Sequence, residues 1–95
     1  MREFKLSKLQ ICFNVLESIW KGAQKPTTIL RDANLSWDVL FEVFAVLTSQ
    51  GLIKWDYDEG YKRYSLTKKG LIAVTHYGKA LGVLEGPNEA RTLYA

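Results

Sequence analysis

The stretch Ala33-Asn34-Leu35-Ser36, followed by Gly51-Leu52-Ile53 and then by Tyr64-Ser65-Leu66-Thr67-Lys68-Lys69-Gly70, decides how this chain folds. Asn34 and Leu35 form a turn with Leu35 pointing inward, and Ser36 supplies a hydroxyl to cap a helix that begins at Trp37. Two helices joined by so tight a turn must cross steeply. Gly51 ends the second of them, and the residues from Leu52 to Tyr57 alternate as a strand. Asp58-Glu59-Gly60 reads as a three-residue hairpin loop, with Gly60 placed for the left-handed conformation, and residues 61–66 return alongside. Setting Tyr57 opposite Tyr61 puts Trp55 beside Arg63 on one face and Leu52, Tyr64 and Leu66 on the core face. Thr67 then caps a last helix from Lys68 to about residue 84.

Working back toward the start, Ser7 caps a first helix running to about residue 21. Leu6, Leu9, Phe13, Leu16 and Trp20 recur at the spacing of one helical face. Cys12, Val15 and Ile19 widen that stripe, so this helix is expected to pack on two sides. Gly22 ends it, Lys25-Pro26 makes an extended joint, and Thr27 or Thr28 caps a short second helix to about Ala33. In the third helix Leu40, Val43, Phe44 and Leu47 have core spacing. Val39, Phe41 and Val46 leave its other sides apolar as well, with Asp38 and Glu42 as its charges. A helix of that kind is buried all round or expects a partner.

Composition bounds the function. The 95 residues suit one domain with a single small core, placed here at 1–86 with a tail at 87–95. The net charge of +3 is unevenly spread. Residues 1–31 and 61–95 each hold six bases against two acids, while 32–60 holds Lys54 against six acids, a dipolar pattern of +4, −5, +4. Cys12 is the only cysteine, which rules out an internal disulfide, supplies no metal framework and suits a cytoplasmic protein. No apolar run reaches the roughly 18 residues of a spanning helix, and Met1-Arg2-Glu3-Phe4-Lys5 does not lead into a signal-peptide core.

The run Pro26-Thr27-Thr28-Ile29-Leu30-Arg31-Asp32-Ala33-Asn34-Leu35-Ser36, with Gly51-Leu52-Ile53 and Tyr64 through Gly70, resembles the archaeal winged helix-turn-helix proteins. These are small transcriptional regulators and chromatin-associated proteins, some encoded by viruses and plasmids. The resemblance covers about residues 7–84 and implies an α+β, mostly α fold: three helices, a two-stranded wing and a C-terminal helix that often mediates homodimerisation. It implies a double-stranded DNA partner met by Thr27, Thr28 and Arg31 of the second helix, by Ser36, Trp37, Asp38 and Phe41 of the third, and by Lys62 and Arg63 of the wing. Glu42 falls on the same early face of the third helix. Asp38 and Glu42 carry the wrong sign for phosphates, whereas relatives that bind DNA place basic or amide side chains near Phe41 and Glu42.

Two further surfaces stand out. Trp55, Tyr57, Tyr61 and Arg63 in the hairpin suit either cross-strand support or a binding surface. A protein partner docking on the acidic, apolar third helix is the alternative to DNA. Gly78 and Gly82 allow close approach of a second backbone, so a homodimer seam is expected from Leu9, Phe13 and Leu16 of the first helix with Val74, Gly78, Leu81 and Gly82 of the last. His76 has no second ligand at metal spacing, and Cys12 reads as a buried small hydrophobe. Asp56, Asp58 and Glu59 crowd an exposed hairpin tip without a cleft, and no phosphate-cradling loop exists, so neither an enzyme nor a cofactor is expected.

Overall fold

The computed structural model describes the backbone of residues 8–85 and the side chains of residues 8–77. In chain order the elements are α1 (Lys8–Trp20), α2 (Pro26–Ala33), α3 (Trp37–Ser49), β1 (Ile53–Asp58), β2 (Tyr61–Leu66) and α4 (Lys68–Glu85). Helix α1 packs on α2, α3 and α4 and also meets β2, while β1 and β2 form a two-stranded antiparallel sheet. The expected α+β, mostly helical architecture is therefore present. The expected Ser7 cap, Leu6, and the tail boundary at residue 86 lie outside the described residues.

Helix ends fix the chain path. After α2, Asn34 takes a left-handed conformation (φ 58°), its N–H donates to the Arg31 carbonyl, and the Leu35 N–H donates to the Leu30 carbonyl. This paired closure leaves an apolar residue just beyond the helix to fold back on it. The same pair of bonds ends α3, with Gly51 (φ 74°) donating to Thr48 and Leu52 donating to Leu47. It also ends α1, through Gly22 to Ile19 and Ala23 to Ser18. Ala23, Leu35 and Leu52 each pack on the core as a result. Ser36 caps α3 as expected, accepting from the Val39 N–H at 3.4 Å. Neither Thr27 nor Thr28 caps α2, whose cap position is Lys25, because Pro26 occupies the first helical turn and has no N–H to satisfy.

The core joins Phe13, Val15, Leu16 and Ile19 of α1 to Ile29, to Leu40, Val43, Phe44 and Leu47 of α3, and to Ile53, Tyr64 and Val74. The α3 set agrees with the sequence reading. The α1 stripe agrees in part: Phe13 and Leu16 are buried together with Val15 and Ile19, which widened it, whereas Leu9 (63% exposed) and Trp20 (50%) face outward. Leu71 is likewise exposed, whereas Val74 is buried. Cys12 is half-buried at the edge of the core rather than inside it.

The start of α4 is tied to the end of α3. Thr67 accepts from the Gly70 N–H at 3.0 Å, its hydroxyl donates to the Gly51 carbonyl at 2.6 Å, and its N–H donates to the Leu52 carbonyl at 3.1 Å. Lys69 Nζ donates to the Gln50 carbonyl at 2.8 Å, satisfying an end group of α3. A Cβ at Gly70 would overlap the Leu52 carbonyl, so the first turn of α4 lies directly against backbone there. The close approach expected at Gly78 and Gly82 lies outside the described side chains.

The hairpin register corrects the sequence reading by one residue. Tyr57 pairs with Lys62 and Asp58 with Tyr61, leaving a two-residue loop of Glu59 (φ 55°) and Gly60 (φ 85°). Positive φ at both positions matches the right-handed twist of the strands, which a three-residue loop would have met differently. Trp55 therefore faces Tyr64, not Arg63, and Ile53 rather than Leu52 shares the core face with Tyr64 and Leu66.

Candidate nucleic-acid interface

The start of α2, the outer side of α3 and the hairpin converge on one face. Lys25, Pro26 and Thr27 line one edge of a cleft of about 510 Å³, Trp37 and Phe41 form its α3 wall, and Tyr61 and Lys62 close it from the hairpin. A second cleft continues along α3 past Ala45, Thr48 and Ser49 to Trp55. Trp37 and Phe41 are four residues apart, one turn along the helix, and their rings stack with centroids 5.4 Å apart. Lys62 Nζ lies 4.1 Å above the Trp55 ring, and Tyr57 meets Trp55 edge-on at 5.5 Å. The exposed aromatics Trp37, Phe41 (57% exposed) and Trp55 thus line these clefts with Lys25 and Lys62, Tyr57 lies on the Trp55 side of the sheet, and Tyr61 borders the first cleft from the other side of the strand pair.

Of the residues expected at a DNA surface, the structure brings Thr27, Trp37, Phe41 and Lys62 into the cleft. Thr28 is half-buried in α2, while Arg31 and Asp38 are exposed and Ser36 is occupied as the α3 cap. Arg63 lies elsewhere. Its Nε sits 2.9 Å from the Asp58 carboxylate and its Nη1 donates to Gln24 Oε1 at 3.3 Å, while the neighbouring Tyr64 N–H donates to the Gln24 carbonyl at 2.9 Å. Arg63 therefore fastens the hairpin to the α1–α2 connection. The cause is the shifted register, which pairs Arg63 with Asp56 and turns it away from Trp55 and Lys62.

Glu42 also leaves the expected face. It approaches Lys8 of α1 at 3.6 Å and borders a cleft with Ile11, Cys12 and Val46. The pair is highly exposed and adds little to stability, but it shows that this acid faces α1 rather than the hairpin. Lys21 is likewise drawn to Glu17 at 3.7 Å, and Lys69 to α3. Ala45, Thr48 and Ser49 were not singled out from sequence. The signal was present, since they follow Phe41 at helical spacing on the same side.

Among the residues expected at a dimer seam, Phe13, Leu16 and Val74 are buried within the chain's own core, and Leu9 is exposed. Gly78, Leu81 and Gly82 lie in α4, beyond the described side chains. Among the described residues, no group of three or more His, Cys, Asp or Glu side chains is placed to hold a metal ion, and no helix is long and apolar enough to cross a membrane.

The profile of the winged helix-turn-helix family matches residues 5–83. The chain belongs to the winged helix-turn-helix family. Its fold is similar to that of Sso10a-2, a DNA-binding protein from the archaeon Sulfolobus solfataricus, at 20% identity and a TM-score of 0.73, over 84% of this chain and 83% of that one. It is also similar to Lactococcus lactis ZitR, solved in complex with DNA, at 22% identity and a TM-score of 0.64, over 87% of this chain and 60% of that one. The Staphylococcus aureus MepR A103V variant is similar at 14% identity and a TM-score of 0.69, over 86% and 61%. The winged-helix chain thus spans about three-fifths of the length of ZitR and MepR. No curated protein matches the sequence. In winged-helix terms, α2 and α3 are the helix-turn-helix and β1–β2 is the wing.

Proposed function

We propose that this winged-helix chain binds double-stranded DNA as a transcriptional regulator or chromatin-associated factor inside the cell, mainly through the phosphate backbone. The observation that carries this reading is the convergence of Lys25 and Thr27, the first turns of α3, and Lys62 on one cleft. Helix-turn-helix folds meet a duplex with these elements. The turning of Glu42 toward Lys8 removes one of the two acids that opposed the reading. Arg31, exposed on α2, adds to the phosphate-binding capacity, and Asp38 is the remaining exposed acid of the first turn of α3. DNA binding by Sso10a-2 and by ZitR supports the same reading.

Neutralising phosphates gives affinity without sequence discrimination. Replacing Lys25 and Lys62 by Ala should weaken binding to unrelated duplexes alike, measured by anisotropy at low salt. Unchanged affinity in that double variant would refute the reading. The proposed functional form is a homodimer, with outward-facing Leu9 and the α4 residues Gly78, Leu81 and Gly82 at the seam, which would set two α3 helices at symmetric half-sites. A second reading, a protein partner docked on α3 and the wing, is favoured by the exposed aromatic cluster, the kind of surface that forms binding hot spots.

A further inference from the structure

We propose that the cleft between α3 and the wing binds unpaired nucleobases by stacking, so that single-stranded nucleic acid is a ligand of this face beyond any duplex. The two adjoining clefts share Pro26, Phe41 and Lys62, and among the described residues the only charged ones lining either are Lys25 and Lys62. A surface of aromatic rings whose only charges are cations complements an anionic ligand that carries flat rings of its own.

The composition of α3 separates stacking from base-edge reading. The commonest edge reading in a duplex groove uses Arg, Lys, Asn or Gln side chains that make paired hydrogen bonds, with Asp or Glu confined to the cytosine amino group. From Trp37 to Ser49 the helix has none of these four residue types. It presents instead the Trp37 and Phe41 rings, stacked on each other at 5.4 Å with 29° between their planes. Tyr61, 67% exposed, stands at the hairpin edge of the same cleft. Paired bases hide their faces within the duplex stack, whereas unpaired ones offer them to aromatic side chains irrespective of base identity. Lys62 is held over Trp55 at 4.1 Å, which keeps its ammonium beside the cleft for the connecting phosphates.

The test measures anisotropy of a labelled oligothymidylate, the matching oligouridylate and a blunt duplex with wild type, Phe41→Ala, Phe41→Tyr and Tyr61→Ala. Both single strands should bind the wild type. A preference for the ribose or deoxyribose form would identify which nucleic acid the cleft takes, and equal affinity would mark stacking without sugar contacts. Phe41→Ala and Tyr61→Ala should each weaken single-strand binding about tenfold, with affinity restored in Phe41→Tyr and the duplex much less affected. Duplex binding without single-strand binding would overturn this inference and leave the duplex reading standing. Single-strand binding indifferent to both alanine variants would overturn it as well. Binding of neither ligand would refute both proposals and favour the protein-partner reading.

Discussion

Gly70 and Glu59 show how single residues hold the wing in place. Gly70 lets the first turn of α4 lie against the Leu52 carbonyl, where a side chain would meet backbone that cannot move aside. Gly70→Ala should therefore cost roughly 1–3 kcal/mol, as overpacking does, read as a lower urea midpoint. Glu59 holds a left-handed conformation at the hairpin tip, which disfavours any side chain other than Asn, Asp or Gly. Glu59→Asn should raise stability by roughly 0.5–1 kcal/mol, since Asn-Gly suits this two-residue turn, and a thermal melt with no increase in Tm would contradict the turn assignment. The turn residues Asn34, Ser36 and Gly51 were legible in sequence because each meets a local backbone need. Gly70 was not, because its need is set by Leu52, which reaches it only through the fold.

At the scale of elements, the wing separates two adjacent cations that sequence could not tell apart. Residues 61–66 were recognisable as a strand from their alternation, but the register depends on whether Asp58 belongs to the loop or to the strand. A one-residue slip exchanges the faces, and with them the roles of Lys62 and Arg63. The ends of the α1 stripe turned outward for a related reason, since Leu9 and Trp20 are as apolar as Phe13, Val15, Leu16 and Ile19 and the packing of α1 on α2 and α4 decides which of them are covered. Lys62→Ala should weaken duplex binding and lower the salt slope by about 0.9. Arg63→Ala should instead speed hydrogen exchange at the Tyr64 amide, which bonds to Gln24, while changing the salt slope less than Lys62→Ala. Tyr64 also carries a pH dependence. It is stacked on Phe44 at 4.0 Å, and burial, with a smaller contribution from Tyr57, raises its phenol pKa above the usual 10.0. The folded chain thus holds that proton more tightly than the unfolded one, so the associated stability is intact below about pH 10 and is lost as the pH rises through the folded value. Urea midpoints should fall across that alkaline range in wild type and fall less in Tyr64→Phe.

For the whole molecule, the charge pattern read from sequence acquires a spatial meaning. Two of the central acids are taken up locally, Asp58 by Arg63 and Glu42 by Lys8, while Lys25 and Lys62 line the cleft. The fold was legible because the Ser36 and Thr67 caps, the turn residues Asn34 and Gly51 and the apolar spacing of α3 agreed on one architecture. The site was legible only as a neighbourhood, because the side on which Glu42 and Arg63 finally lie is settled by tertiary contacts. The proposed dimer belongs to this scale too. Sedimentation should give a dimer for wild type and for Phe41→Glu, and a monomer for Gly78→Leu, whereas dissociation by Phe41→Glu alone would move the seam to α3. The most direct test of nucleic-acid binding by this face is a titration of wild type onto a duplex at increasing salt. The account predicts that log affinity falls linearly with log salt, with a slope of about 0.9 per phosphate contacted. Absence of binding at low salt, or binding indifferent to salt, would contradict it.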